Sequence, residues 1–310
     1  MHYTGTIWRP PYEANSLLLE VTAGCTHHRC KFCTLYHDLP FSFRMSPMED
    51  IEQDLAEAQM LIHSPFSRLE RLMQGLPPAE VTRVYLVGAN PFALSFERLV
   101  KISEMISFYF PGCKSIGCFS RITDIGTKTD EQLTELAKRG YNGITIGAET
   151  GDDRALEFME KGYSAQEIIK QSKRLDQSGI SYCFFYLAGI SGNGRGKEGA
   201  VKTAEIFNQT NPKLIGSSML TVYPESVLYQ EILSGNWKEE SESEKLEELI
   251  VLIERLKIPV YFAALGASNA VPVEGVLPKD SQKMILQLKA AIENVGEESL
   301  RAYRKNLKHL

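Results

Sequence analysis

The sequence predicts an α/β protein built around a parallel barrel or open barrel. Stretches rich in β-branched and aromatic residues alternate with stretches of helical period six times between Leu17 and Val222, the pattern that makes βαβ units. Glycine, cysteine and isolated charged residues gather where those strands end, which is where such folds place their chemistry. From Glu225 onward the alternation gives way to acidic amphipathic segments.

The first strand is expected over residues 17–22, an apolar run. A helix over 47–62 follows, with Ser46 as N-cap, Pro47 at the first helical position, and Glu49 and Asp50 in the first turn. Leu69, Leu72 and Met73 suggest a short helix within 64–80, ahead of a turn at 75–78. The second strand, 81–87, runs into Gly88-Ala89-Asn90-Pro91, and a helix is expected over 95–110. The third strand is 114–120 and its helix 130–139. The fourth, 143–147, runs into Ala148-Glu149-Thr150-Gly151, and the helix after it, 164–178, opens on Ser164 and Glu167 at capping-box spacing. Strand 181–187, helix 197–208 and strand 214–222 complete six units.

Beyond them come helices over 229–237 and 241–257, a strand over 259–264, a turn-rich loop over 267–278 and a helix over 279–295. This divides the chain into a core, 1–225, and a C-terminal α/β extension, 226–310. The extension's expected role is a lid or substrate-side wall, carried by Asn269 and the loop 271–278.

Charge and composition narrow the function. A formal net charge of -5 and a pI near 5.8 argue against a strongly nucleic-acid-binding surface. A small-molecule substrate therefore ranks first, with peptide or tRNA below it. No apolar run approaches the roughly 20 residues that span a bilayer, and the first residues lack the charged and apolar regions of a signal peptide. A cytoplasmic, non-membrane protein is expected. Six cysteines in a reducing compartment point to metal or redox work rather than disulfides. Cys113, Cys118 and Cys183 lie in or beside apolar runs and read as small hydrophobes.

The remaining three fall within nine residues, in Gly24-Cys25-Thr26-His27-His28-Arg29-Cys30-Lys31-Phe32-Cys33. Three thiolates on one loop can hold a cubane cluster and leave one iron open for a small molecule. His27 and His28 also allow a Cys3His zinc site, although no second Cys or His pair follows in the chain. Arg29 and Lys31 could tune such a cluster's potential or only face solvent, and solvent is the expected place.

This loop resembles the cluster signature of radical S-adenosylmethionine (SAM) enzymes, C-x3-C-x2-C with an aromatic residue before the last Cys, here Phe32. It departs by one residue in the first gap, giving C-x4-C-x2-C. The resemblance, which covers roughly residues 17–224, implies a partial (β/α)6 TIM-like barrel with Cys25, Cys30 and Cys33 each binding one iron of a 4Fe-4S cluster. The open iron would take the amino and carboxylate groups of SAM. Gly88, Ala89 and Asn90 are similar to the family's glycine-rich turn for the SAM amino group, with Asn90 in place of an acidic residue. Ser120 and Arg121 stand where a cation would meet the SAM carboxylate or ribose. Glu149 stands at the family's carboxylate for the ribose or amino group. Lys161 replaces the Arg of a Met-Asn-Arg-Gly string in related tRNA methylthiotransferases, and Gly189 begins a turn for the adenine.

The activity implied is reductive cleavage of SAM to a 5′-deoxyadenosyl radical that abstracts a hydrogen atom from substrate, fed by a low-potential electron donor such as flavodoxin or ferredoxin. The core is also similar to oxygen-independent coproporphyrinogen oxidases, which does not name a substrate. The alternatives are a tRNA-modifying radical SAM enzyme and, in another class, a non-catalytic zinc-binding or iron-sulfur electron-carrier protein.

Overall fold

The computed structural model describes residues 1–305 and 307; residues 306 and 308–310, the end of the expected extension, lie outside the described residues. Its strands are β1 (Leu17–Glu20), β2 (Thr22–Gly24), β3 (Phe43–Met45), β4 (Arg83–Val87), β5 (Ser115–Ser120), β6 (Ile144–Glu149), β7 (Tyr182–Ala188), β8 (Leu214–Met219), β9 (Val260–Ala264) and β10 (Val273–Leu277). Its helices are α1 (Met48–Ile62), α2 (Pro65–Met73), α3 (Phe96–Tyr109), α4 (Ile122–Gly126), α5 (Asp130–Lys138), α6 (Asp153–Phe158), α7 (Ala165–Ser178), α8 (Gly196–Phe207), α9 (Val227–Leu233), α10 (Glu242–Arg255), α11 (Ser281–Asn294) and α12 (Glu297–Lys305). The chain forms two compact units: Met1–His28, Leu35–Thr145 and Ser178–Ile180 in the first, Arg29–Thr34, Ile146–Gln177 and Ser181–Leu310 in the second.

In the first unit β1, β4 and β5 run parallel, with Leu17 opposite Val84 and Arg83 opposite Ser115. β2 and β3 form a small antiparallel pair beside them. Buried Leu19, Val84, Leu86 and Ile116 form the strand side of the core, and Ile51, Leu55, Leu99, Ile102 and Ile106 the helix side. Parallel strands present their carboxyl ends at one edge, so the segments after Glu20, Val87 and Ser120 emerge together.

The second unit orders its strands β6-β7-β8-β9-β10. β7, β8 and β9 are parallel, and β10 closes the edge antiparallel to β9. Helix α10 packs on both α8 and α11. Buried Arg304 of α12 ties that helix down through the Ser268 carbonyl at 2.6 Å and Glu242 at 3.0 Å. The extension is thus integral to the unit that carries the later βα elements.

Several expected elements differ. Residues 17–22 are not one strand, because the chain leaves β1 at Val21 and re-pairs as β2. Pro47, with ψ 146, is itself the N-cap of α1, and no side chain caps that helix. Ser46 is instead held by its backbone, its N–H on the Val21 carbonyl at 3.0 Å and its carbonyl accepting from Arg98. The expected loop 267–278 contains β10, a strand whose signal is masked by Gly275 and flanking prolines but whose alternation survives in buried Val273 and Leu277 around exposed Glu274 and Val276. Helices α4, α6 and α12 were not anticipated; the first two are only five and six residues long, too short for a periodic signal.

Candidate active site

In the first unit, the backbone turns at Gly24 with φ 75, and Cys25 follows with its N–H on the Ser42 carbonyl at 2.8 Å. The next residue is held by Asn90. The Asn90 Oδ1 accepts from the Thr26 N–H at 3.3 Å, and its Nδ2 donates to Thr26 Oγ1 at 2.6 Å and to Asp124 Oδ2 at 3.1 Å. The same Asp124 oxygen accepts from the Arg121 N–H at 2.8 Å. Asn90 is completely buried and Asp124 is 4% exposed. Burial pushes the Asp124 carboxyl above the ordinary carboxylate range, against the pull of the Arg121 N–H and the Asn90 amide.

This network explains the residue that departs from the family turn. A second carboxylate at position 90 would face Asp124 in a buried space, whereas an amide donates to it. Gly88 has φ 123, and a Cβ there would overlap the side chain and carbonyl of Thr22, so glycine is required by packing alone. Ala89 is half-buried. Ser120 is buried and donates to the Arg121 carbonyl at 2.9 Å, while the Arg121 guanidinium donates to Thr123 Oγ1 at 3.0 Å. Asp124 escaped the sequence reading; its signal is a carboxylate three residues after the strand-end Arg121, the spacing of a side chain that caps its own helix start.

In the second unit, the Cys33 N–H donates to the Cys30 carbonyl at 3.0 Å, which folds these two cysteines onto one turn. Both are half-buried, as is Cys25 in the first unit. Lys31 does not face solvent as expected. Its Nζ bonds Glu231 Oε1 at 2.7 Å and lies 4.3 Å from the Phe158 ring centroid, because the turn packs on α6 and α9. Phe32 packs against an apolar cluster of Ala155, Met159, Ile190, Leu220 and Leu228.

Beside this turn stands an ion pair. Glu149, the last residue of β6, has φ 63, a strained conformation for a side chain of its size. The bend brings its Oε1 back over Gly147, where a Cβ would lie 2.6 Å from it. The carboxylate meets Lys161 Nζ at 3.1 Å. Lys161 is 4% exposed, and its ammonium lies 5.7 Å from the Phe32 ring centroid and 5.6 Å from that of Tyr163. Tyr163 in turn donates to the Gly147 carbonyl at 2.8 Å. Two residues singled out separately in the sequence are therefore partners, next to two of the three cysteines.

Gly189, with φ 90, faces the Lys245 stem, and its N–H donates to Glu248 Oε2 at 2.8 Å. Glu248 also accepts from the buried Tyr186 hydroxyl. Glu240 lies beside it, and burial together with that neighbour pushes the Glu240 carboxyl up to about 10. The extension thus braces the turn after β7 through α10, one of the acidic amphipathic segments. Asn269 likewise anchors inward, donating to the Ser217 carbonyl at 2.9 Å.

Among the described residues, no group of three or more His, Cys, Asp and Glu side chains is gathered as a metal site. The donor chemistry nevertheless fits an iron-sulfur cluster. Three thiols on one short loop are the soft ligands it uses, and the Cys30–Cys33 turn is backed by an apolar shell.

The family model of the Radical SAM superfamily matches residues 19–198, more than half of the chain. The chain belongs to the radical SAM superfamily. Radical SAM proteins are enzymes that bind a 4Fe-4S cluster and SAM, and this one is such an enzyme. A tRNA uridine(34) acetyltransferase of Methanocaldococcus jannaschii is 23% identical over 255 residues, 72% of this chain and 45% of that protein. The Methanocaldococcus infernus protein of the same name is 22% identical over 257 residues, 73% of this chain and 46% of that protein. The chain spans less than half the length of these curated relatives. Among solved structures, the archaeal Elp3 of M. infernus aligns with a TM-score of 0.54 at 15% identity, over 91% of this chain and 64% of that one. Coproporphyrinogen III oxidase from Escherichia coli aligns with a TM-score of 0.54 at 15% identity, over 77% and 51%. These likenesses carry the fold, the partial (β/α)6 TIM-like barrel of radical SAM enzymes. No described helix is long and apolar enough to cross a membrane.

Proposed function

We propose that Cys25, Cys30 and Cys33 hold the cluster and that the chain reductively cleaves SAM to abstract a hydrogen atom from its substrate. The observation that carries the site assignment is the Glu149–Lys161 pair at 3.1 Å beside the Cys30–Cys33 turn. The amino-acid end of SAM is a zwitterion, and a pair of opposite, largely buried charges is its complement. Glu149 would take the ammonium or a ribose hydroxyl, and Lys161 the carboxylate. When bound, cluster and SAM supply one-electron cleavage of a carbon-sulfur bond and hydrogen-atom abstraction. The chain's own part is to bind, orient and shield. Gly88 and Ala89 would offer backbone carbonyls to the SAM amino group, Ser120 and Arg121 polar contacts to its carboxylate or ribose, and the turn at Gly189 a surface for the adenine.

Anaerobic reconstitution followed by dithionite, SAM and chromatography tests this reading. The expected result is 5′-deoxyadenosine and methionine from wild type and none from Cys30→Ala. A chain that binds zinc and no sulfide would end it.

A second reading concerns the substrate. Composition places small molecules first, but both curated relatives are named as tRNA enzymes, which supports tRNA modification as the alternative. Filter binding to bulk tRNA separates them: tight, salt-sensitive binding supports the tRNA reading, and its absence supports a small molecule. A low-potential flavodoxin or ferredoxin in the cytoplasm is the reductant we propose.

A further inference from the structure

Lys31, between the second and third cysteines, is held at every polar atom. Its N–H donates to the Met159 carbonyl at 3.2 Å and its carbonyl accepts from the Leu228 N–H at 2.7 Å. Its Nζ bonds Glu231 at 2.7 Å, and the side chains of Lys31 and Glu231 are 15% and 19% exposed. The other Glu231 oxygen accepts from Asn236 Nδ2 at 2.8 Å, which fixes the carboxylate from its own segment. A lysine in a surface loop gains little from one exposed ion pair and loses side-chain entropy to hold it. Here two backbone bonds, a close ion pair to Glu231, a longer one to Glu160 at 4.0 Å and a cation-π contact converge on a single residue that adjoins Cys33 through Phe32 and follows Cys30 directly.

We infer that Lys31 and Glu231 form a positioning pair for the cluster, an inference that rests on the function proposed above. α9, with Leu228 and Glu231, clamps the Cys30–Cys33 turn, and the two opposed charges set the reduction potential between them. The clamp is a second contribution of the 226–310 segment, beside its brace on the turn after β7, made by holding the cysteine turn rather than by covering substrate. A net positive charge near a cluster favours its reduced, more negative form, and a net negative charge disfavours it. Removing either member changes the net charge beside the turn by one unit, with Glu160 at 4.0 Å from Lys31 Nζ unchanged, so the two removals act in opposite senses.

The test is a redox titration, followed by electron paramagnetic resonance, of the reconstituted enzyme with iron and sulfide counted per chain. Glu231→Gln raises the midpoint potential and Lys31→Gln lowers it. Each shifts the reduced-to-oxidised ratio at fixed poise by about threefold, the size of a partly exposed charge contribution. The double variant returns toward wild type, and Lys31→Arg stays near it. Shifts of the same sign, or no shift in fully loaded variants, overturn the inference. If Lys31→Gln fails to hold iron, the reversed pair Lys31→Glu with Glu231→Lys decides: restored iron content supports the pair, and continued loss overturns it. A wild-type chain that takes up no iron and sulfide would remove the function itself, whereas a loaded wild type with unshifted variants removes only the pair.

Discussion

Replacing Asn90 by Asp tests whether the turn after β4 works through its amide. The substitution keeps size and shape but exchanges the Nδ2 donor for a carboxylate oxygen 3.1 Å from Asp124 Oδ2. With both groups ionised, their repulsion at an effective dielectric of about 20 is roughly 5 kcal/mol. The chain escapes that cost by keeping one carboxyl protonated. Burial already raises Asp124, and the new neighbour raises the pair further. A carboxyl whose folded pKa is raised binds a proton in the folded state that the unfolded chain has released. Its contribution is intact below the unfolded pKa and is lost as pH climbs to the folded one, by about 1.4 kcal/mol per unit. We expect Asn90→Asp to cost about 1–2 kcal/mol at pH 5, for the lost amide bonds, and about 4 kcal/mol at pH 8. Asn90→Ala, which adds no charge but removes the amide's pull on Asp124, should cost about 2–3 kcal/mol with a much smaller rise from pH 5 to pH 8. Urea unfolding followed by circular dichroism at the two pH values measures both variants. A penalty for Asn90→Asp that is equal at pH 5 and pH 8, or larger at pH 5, would refute the assignment of Asp124 as the amide's partner.

Lys161→Ala should weaken SAM binding about 10–100-fold, the equivalent of losing a charged hydrogen bond, and equilibrium dialysis with the loaded enzyme checks it; unchanged affinity would separate the ion pair from SAM. Gly88→Ala should destabilise by about 3 kcal/mol or more, because a β-carbon meets Thr22 in a backbone conformation that side chains avoid. Thr22→Ala should recover part of that loss in the same unfolding assay, since the carbonyl overlap remains. Burial pushes Lys128 down to about 8, against the pull of Asp124. The folded chain therefore binds fewer protons than the unfolded one from pH 8 to the ordinary lysine value, and this group's share of stability rises across that window. Lys128→Met should flatten that rise in unfolding curves taken between pH 7 and pH 10. His28→Gly should keep full iron content and gain up to about 1 kcal/mol, while His28→Val should lose both, because φ 47 suits glycine and excludes a β-branched residue.

The fold was legible because its signal is periodic. The apolar run from Val84 to Val87 and the stripe of α3 repeat at the spacing of their elements, and tertiary packing only trims their ends. The cysteines and Glu149 stood out in the sequence because their chemistry is rare at strand ends. What sequence hid was pairing. Nothing in the spacing of Glu149 and Lys161 says that a positive φ turns one toward the other, and nothing near Lys31 points to Glu231, which is 200 residues away. Asp124 was hidden differently: it lies in a helix of five residues, and its role is to answer Asn90 from another strand end. Acidic α10 misled because charge usually marks solvent, yet its Lys245 and Glu248 are fully buried, Lys245 on Glu239 and Glu242 and Glu248 on Tyr186 and the turn after β7.

The cysteine loop is held by its neighbours at some positions and by its own backbone at one. Four residues separate Cys25 from Cys30, and two of the loop's positions are fixed from outside it: Thr26 by Asn90, and Lys31 by Met159 and Leu228. His28 adopts φ 47, with its ring 5.4 Å from that of His37. Histidine is among the side chains that enter the left-handed region at modest cost. The loop residue whose backbone restricts its side chain is therefore His28, which is why glycine and valine at this one position are expected to act in opposite senses.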